Sequence, residues 1–325
     1  MLTAALAAAV VSPARAEVVA REQAATSVAA WGSYAAWSRY EGRRFRLIVW
    51  HGGRARHADV APRGAAFDVD LGVDRRGRVV AVYSRCARYD RQQLRTGLPI
   101  HVFNARCDLY EYDVAARRER RLARPSRRAR SEFLPAIDRG RLVFARGARR
   151  GVRIPELVSA TFSPYREQRL PRPGGRQTDV ADGGNRGPTA IDATDGLAVV
   201  GWQQVPPRTR CDSEIASRVT YQVLAYALKD RGRRTLDDDC DSDGEVFYVS
   251  PSLSAGRVFY AFSPGADPLV FGVRRFDLAT GAHADGPPAR PLIVSTQTGG
   301  DWTWTVRDVV INRRHTFEVA RDPAA

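Results

Sequence analysis

The chain has 325 residues, 44% hydrophobic content and a formal net charge of +15. A hydrophobic fraction of this size is ordinary for a folded protein and argues against a disordered chain. Beyond the N-terminus no apolar run approaches the ~18 residues that a membrane span needs, which excludes an internal transmembrane helix. Lys229 is the only lysine, so the positive charge is carried almost entirely by arginine. Such an excess reflects either a coding bias or a surface that favours anionic partners.

The first sixteen residues, MLTAALAAAVVSPARA, have the pattern of a secretory signal. An apolar segment is followed by Pro13 and by small residues at the end of the segment, which predicts cleavage before Glu17. A positively charged start is missing, and a short buried helix is the alternative. We therefore expect export to the periplasm, the cell envelope or the medium, with residues 17–325 forming a single domain.

The mature chain begins with short strand patterns. Glu17–Glu22 contains β-branched residues without turn chemistry, and Ser27–Ser38 and Phe45–Trp50 alternate apolar with polar or small residues, as strands do. A Gly-Gly turn after His51 leads into a third strand that we expect to end near Val60.

The next segment is the clearest pattern in the chain and predicts one four-stranded antiparallel sheet. A glycine turn joins its inner strand to a buried apolar strand, and a charged strand forms its outer edge. Its parts in order are Phe67–Leu71, the turn Asp74–Gly77, Arg78–Ser84, Asp108–Val114 and Glu119–Leu122.

Weaker copies of this sheet follow down the chain. The copies comprise Phe133–Ala145 with Glu156–Phe162 and Arg166–Leu170; Thr189–Trp202 with Tyr221–Leu228 and Arg233–Leu236; Val246–Phe262 with Val270–Ala284; and Leu292–Arg307 with Thr316–Ala320. The last copy has only three strands, and Glu17–Glu22 would supply the fourth. The sequence therefore predicts an all-β fold, a β-propeller of six four-stranded blades in which the N-terminal strand closes the ring.

The clearest sheet also carries a family resemblance. GVDRRGRVVAVYSR places Asp74 and Gly77 at a turn before a buried strand, and CDLYEYDVAARRERRL begins with Cys107, continues with Asp-Leu-Tyr and ends at Arg121-Leu122. These segments resemble the TolB-type, WD40-like propeller repeat (PD40-like repeats). The resemblance implies a propeller that presents its loops to a partner, and it implies no catalytic residue.

The four cysteines suit an exported chain, where an even number suggests disulfides. Cys86 ends the second strand of its blade and Cys107 begins the third, so a bridge between them would close the base of the long loop Ala87–Arg106. Cys211 lies in the equivalent loop two blades later, and Cys240 follows that blade's outer strand. We predict the pairs Cys86–Cys107 and Cys211–Cys240.

Two charged segments are candidate ion sites. Asp239, Asp241 and Asp243 alternate before a glycine, a spacing that indicates a weak Ca²⁺ site, although Ser250 stands where a calcium loop places a bidentate glutamate. A solvated acidic loop is the alternative, and we expect no other cofactor.

A dense arginine run is the second candidate, for anions: Arg117, Arg118, Arg120, Arg121, Arg124, Arg127, Arg128 and Arg130. The alternative is a solvated outer edge and turn. Nucleic acid is not the expected ligand, because the run lacks interleaved aromatic residues.

Two further residue classes leave alternatives open. The tryptophans Trp31, Trp37, Trp50, Trp202, Trp302 and Trp304 either stack on sugars or pack between blades. The inner-strand residues Asp68, Asp70 and Asp192 either supply the carboxylate pair of a glycosidase or bond to the backbone of neighbouring blades. The histidines are dispersed, and no nucleophile elbow is present.

Together these features predict a monomeric, exported, non-catalytic propeller. Its disulfide-braced loop face would bind a protein or an anionic envelope polymer such as a polysaccharide. The alternative is a glycan-active hydrolase or lyase that uses carboxylates in the propeller funnel.

Overall fold

A computed structural model describes residues 16–88, 105–127, 129–148, 155–173, 187–204, 220–239, 248–262, 272–285, 292–299, 301–311 and 314–323. These residues form six antiparallel sheets of four strands each. No helix within these ranges has the length and apolar character required to cross a membrane.

Blades 1 to 3 are built from consecutive strands, each paired with the next in sequence. Their strands are β2 (Val28–Trp31), β3 (Tyr34–Glu41), β4 (Arg44–His51) and β5 (Arg54–His57); β6 (Asp70–Val73), β7 (Val79–Arg88), β8 (Ala105–Asp113) and β9 (Arg118–Arg121); and β10 (Arg130–Asp138), β11 (Arg141–Ala148), β12 (Glu156–Phe162) and β13 (Tyr165–Arg169).

Blades 4 and 5 repeat this arrangement, and blade 6 combines the two ends of the described chain. Their strands are β14 (Gly187–Thr194), β15 (Leu197–Gln204), β16 (Thr220–Ala227) and β17 (Arg233–Asp239); β18 (Tyr248–Ser254), β19 (Arg257–Phe262), β20 (Gly272–Asp277) and β21 (His283–Asp285); and β22 (Leu292–Gly299), β23 (Trp302–Ile311), β24 (Arg314–Pro323) and β1 (Glu17–Glu22).

The N-terminal strand closes the ring, as the sequence predicts. β1 pairs antiparallel with β24, with Glu17 opposite Arg321 and Glu22 opposite Phe317. Ion pairs between Arg21 and Glu318 and between Arg321 and Glu17 reinforce the contact. The predicted six-bladed, all-β propeller is therefore confirmed.

The burial of the strands follows their position in each blade. The inner strands β2, β6, β10, β14, β18 and β22 contact one another in a closed ring around the axis. The outer strand β5 is exposed along its whole length, and so is β21. Apolar side chains of adjacent blades pack face to face, and the largest fully buried side chains include Trp37 and Tyr83. Exposed charged residues are frequent in outer strands such as β5 and β9.

Blade 1 differs from the sequence prediction. Ser27–Ser38 was predicted as one strand, but it forms β2 and β3, which are joined by a turn at Gly32 with φ of 55°. Glycine adopts this left-handed conformation without steric cost, so the alternation continues through a reversal of direction. The third predicted strand, ending near Val60, is β5 and ends at His57.

Substitution of Gly72 by alanine is expected to destabilise the ring by about 1 to 3 kcal/mol, because a methyl group there overpacks the blade interface. A Cβ at Gly72 would lie 2.3 Å from the carbonyl oxygen of Ile137 in the next blade. Gly64→Ala is the matched control, since a Cβ at Gly64 meets nothing within 4 Å. Denaturant unfolding compares the two variants, and equal midpoints would contradict a close approach of β6 and β10.

Candidate functional site

The antiparallel blades present two different faces. In each blade the connection between the second and third strands emerges at one end of the sheet, and the first hairpin turn emerges at the other. In blades 1 to 5 the third hairpin turn emerges beside the first. We call the end that holds Cys86 and Cys107 the loop face. We call the end that holds the turns Asp74–Gly77 and Ala115–Arg118 the turn face.

A disulfide lies at the base of the loop face. Cys86 of β7 and Cys107 of β8 are directly opposite in register and are bonded to each other, with their Cα atoms 3.8 Å apart. The backbone N–H of Cys107 donates to Ser131 Oγ of blade 3 at 3.1 Å, which ties the bridge to the neighbouring blade. Residues 89–104 of the intervening loop lie outside the described ranges, and Cys211 and Cys240 do as well.

The central channel opens at the turn face in a cavity of about 260 Å³. Asp138, Asp192, Gln297 and Thr298 contribute polar groups to its wall. Asp138 accepts a hydrogen bond from the backbone N–H of Gly196 at 2.7 Å. The Thr298 hydroxyl is buried and has no hydrogen-bond partner among the described residues.

The three candidate catalytic carboxylates join neighbouring blades. Asp68 accepts from the backbone N–H of Leu134 at 2.9 Å, and Asp70 accepts from that of Ile137 at 2.9 Å. Two blades further on, Asp192 accepts from the N–H of Leu253 at 2.6 Å.

The accepting inner strands have a matching irregularity. β10 changes register between Phe133 and Ala136, and β18 changes register between Val249 and Ser252. A bulge leaves backbone N–H groups without a ladder partner, and the carboxylates of the preceding blade accept from N–H groups in or beside these bulges. Of the two interpretations drawn from the sequence, these contacts favour the structural one.

Burial controls the ionisation of the Asp70 and Asp192 carboxyl groups. Loss of hydration raises the pKa of the Asp70 carboxyl well above its usual range, and the charge of Asp192 raises it further. Burial also raises the pKa of Asp192, although backbone donors oppose the shift. Folding therefore favours the protonated form of both groups.

The wild type is expected to lose stability as pH rises towards neutral, because the buried Asp70 must then ionise. The Asp70→Asn variant is expected to lose less. An acid whose folded pKa is raised binds more protons in the folded state, so stability falls as pH rises from the ordinary value of about 4 towards the raised one. The amide oxygen of Asp70→Asn can still accept from Ile137. Unfolding measured from pH 4 to 8 should show the variant gaining relative to the wild type as pH rises. Asp277→Asn is the control, because Thr280 N–H lowers the pKa of Asp277, so its contribution to stability changes mainly below about pH 5 and the variant should show no gain between pH 5 and 8.

The arginine run occupies the outer edge of blade 2 and the turn after it, and four of its seven described side chains have acidic partners. Arg117 pairs with Asp59, Arg120 with Glu111, Arg121 with Asp108 and Arg127 with Glu167. Arg118, Arg124 and Arg130 are exposed, and Arg128 lies outside the described residues. The structure also brings Arg75, Arg76 and Arg78 beside this run, which the sequence does not indicate.

The calcium candidate falls largely outside the described chain. Asp241 and Asp243 lie outside it, and Asp239 is described only through its backbone at the end of β17. Within the described ranges, no three acidic, histidine or cysteine side chains are close enough together to hold a metal ion.

The tryptophans contribute mainly to packing between blades. Trp37, Trp50, Trp202 and Trp304 are buried, and Trp50 meets Trp304 edge-on at 5.1 Å between ring centroids. Trp31 is half-buried and lines the channel mouth, where it is the tryptophan best placed to meet a ligand.

The chain is similar in structure to several solved proteins, but its sequence matches no family model and no curated protein. It is similar to a chain of the nidogen/laminin complex, with a TM-score of 0.48, 10% identity and coverage of 87% of this chain and 85% of that one. It is also similar to TolB from Acinetobacter baumannii, with a TM-score of 0.46, 11% identity and 92% coverage. The tricorn protease gives a TM-score of 0.44, 10% identity and 92% coverage. The chain spans 64% of the length of that TolB and 28% of that of the tricorn protease.

Proposed function

We propose that this protein is an exported, non-catalytic propeller that binds a protein or an anionic envelope polymer through its loop face. The observation that carries the proposal is the Cys86–Cys107 bridge, which closes the base of the connection spanning residues 89–104. Binding residues are commonly placed on loops that a rigid scaffold positions, and a bridge at the base lowers the entropy that such a loop loses on binding.

Export is supported by the same bridge. Disulfides persist in oxidising compartments and are rare in the cytosol. Together with the secretory pattern of the first sixteen residues, the bridge supports cleavage before Glu17 and a mature domain of residues 17–325. Mass spectrometry of the mature N-terminus would test this part of the proposal directly.

The proposal that the protein is non-catalytic is supported by the hydrogen bonds that the candidate catalytic carboxylates make. Asp68, Asp70 and Asp192 accept hydrogen bonds from neighbouring blades, and of the three only Asp192 also lines the channel cavity. A glycosidase requires two carboxylates that face a substrate across a pocket.

The test compares two proteins in a pull-down from the envelope of the producing cell. One is the wild type, and the other has residues 89–104 replaced by a Gly-Ser linker that keeps the disulfide. We expect the linker variant to fold normally and to lose about tenfold or more of its affinity for the captured partner, because loops dominate recognition on rigid scaffolds.

Arg139→Ala is the matched control, since Arg139 is exposed at the turn face and should leave capture unchanged. Undiminished capture by the linker variant would contradict the loop face as the binding surface. Release of reducing sugars from envelope glycans by the wild type would instead support the hydrolase or lyase.

A further inference from the structure

A second surface lies between the outer parts of blades 2 and 3 and runs from the turn face along β9. It is a groove of about 630 Å³. Its walls carry seven arginines and three carboxylates, an excess of four positive charges: Arg75, Arg76, Arg78, Arg118, Arg120, Arg121 and Arg124 against Asp74, Glu111 and Asp113.

The three carboxylates are not available to a ligand. Asp74, Glu111 and Asp113 are each at most 7% exposed. Arg78 bridges Asp74 at 2.6 Å and Asp113 at 2.7 Å, and Arg120 pairs with Glu111 at 2.8 Å. The negative charge therefore lies at the floor of the groove, and the guanidinium groups stand above it towards solvent.

Several of the arginines retain free donors. Within the described part of the chain, the exposed side chains of Arg76 and Arg118 have neither an ion-pair partner nor a hydrogen-bond acceptor. Arg75 donates to the neutral Ser163 hydroxyl at 2.9 Å, and the Arg124 guanidinium lies 5.7 Å from the Tyr165 ring centroid. Among the described residues, no carboxylate forms an ion pair with any of these four arginines.

We propose that this groove binds an extended polymer that carries repeated oxyanions, either phosphodiesters or carboxylates. The guanidinium fork binds both kinds of oxyanion in a bidentate manner. The four residues of β9 span about 10 Å, and the groove continues past them to Arg124. Free positive charges distributed over that length suit consecutive repeat units better than one small anion.

Nucleic acid is a poorer fit for the same groove. Sequence-tolerant binding of single strands needs aromatic rings on which the bases stack. Phe162 is the one aromatic side chain among the lining residues, and its ring packs against Tyr165 with centroids 5.8 Å apart. The groove runs along the outer flank of blades 2 and 3, and its lining includes neither Cys86 nor Cys107 of the loop face, so the proposal goes beyond the binding proposed there.

The experiment titrates the protein with three probes: poly(glycerol phosphate), polygalacturonate and a single-stranded oligonucleotide. Arg76→Gln/Arg118→Gln removes two free groove charges, and Arg44→Gln/Arg314→Gln removes two charges from exposed arginines outside the groove. We expect the groove variant to bind the better polymer about tenfold or more weakly, with the log–log salt slope between about 50 and 200 mM reduced by about two. The control should stay within about twofold of the wild type, and comparison of the first two probes distinguishes phosphodiester from carboxylate.

Other results would overturn the proposal. Equal weakening by both double variants would mean that the charge acts as a diffuse field. Tighter binding of the oligonucleotide than of either polymer would assign the groove to nucleic acid. Loss of polymer binding in the linker variant of residues 89–104, with the groove variant unaffected, would place the polymer on the loop face. Ala116→Glu adds one negative charge to the same groove and should also weaken polymer binding, by less than the double variant, which gives a second test with an intact arginine set.

Discussion

Replacing Arg146 with methionine is expected to lower the free energy of unfolding by about 3 to 5 kcal/mol, because it leaves a buried carboxylate without its partner. The Arg146 side chain is 5% exposed, and its Nε lies 2.9 Å from Glu132, which is fully buried. The same guanidinium binds Glu167 at 2.8 Å and donates to the Pro125 carbonyl at 3.0 Å. One side chain therefore joins three segments of blade 3 and the turn before it.

The loss should grow with pH. Burial raises the pKa of Glu132 to about 7 even with Arg146 beside it, and removal of the guanidinium raises it further. At a pH below the raised pKa, Glu132 is protonated in the folded variant, so no charge is buried there. As pH rises through the raised pKa of Glu132, the variant loses stability faster than the wild type does. Denaturant unfolding at pH 6 and at pH 9 measures the difference.

Arg127→Ala is the matched control for this network. Arg127 also pairs with Glu167, but its side chain is 55% exposed, so its loss should cost at most about 1 kcal/mol. Adding Glu132→Gln to Arg146→Met removes the stranded charge and should recover part of the stability. Equal losses for Arg146→Met and Arg127→Ala would show that burial of the network contributes nothing.

The sequence predicts most of the strands because a propeller blade is a local structure. Each strand pairs with the next along the chain, so the period of two and the turn glycines contain nearly all the information needed. β12 and β1 have the bounds predicted for them, and the turn Asp74–Gly77 ends with Gly77 at φ of 76°. Even the closure of the ring follows from a missing strand in the last copy and a spare one at the start.

Contacts between blades are harder to predict, because they join residues far apart in sequence. Asp68 and Leu134 meet across 66 positions, and no local pattern indicates that a bulge in β10 presents its N–H to that carboxylate. The groove is a further case, since Arg76 and Arg118 are brought together by the pairing of strands within blade 2. The arginine run alone indicates positive charge, but it does not show which charges the protein itself neutralises.

Replacing Asp68 with alanine is expected to destabilise the ring by about 3 to 5 kcal/mol, because it leaves several buried donors without this acceptor and removes a carboxylate from beside the buried Arg63 guanidinium, which keeps its hydrogen bonds to backbone carbonyls. Asp68 Oδ1 accepts from the N–H of Ser84 at 2.9 Å, and Oδ2 accepts from the Ser84 hydroxyl at 2.5 Å and from the N–H of Leu134 at 2.9 Å. Arg63 Nη2 lies 3.3 Å from Oδ1, and both side chains are buried. This carboxylate therefore joins the segment before β6 to β7 of the same blade and to β10 of blade 3.

Asp59→Ala is the control, because Asp59 pairs with Arg117 at a site where both side chains are more than half exposed. Its removal should change the free energy of unfolding by less than about 1 kcal/mol. Denaturant unfolding of the two variants separates the structural role of Asp68 from a catalytic one. A catalytic carboxylate in an active-site pocket is often a strained or repelled charge, so its removal leaves stability unchanged or raises it. Unchanged or increased stability in Asp68→Ala would therefore contradict the structural role and would favour an enzyme that uses the funnel carboxylates.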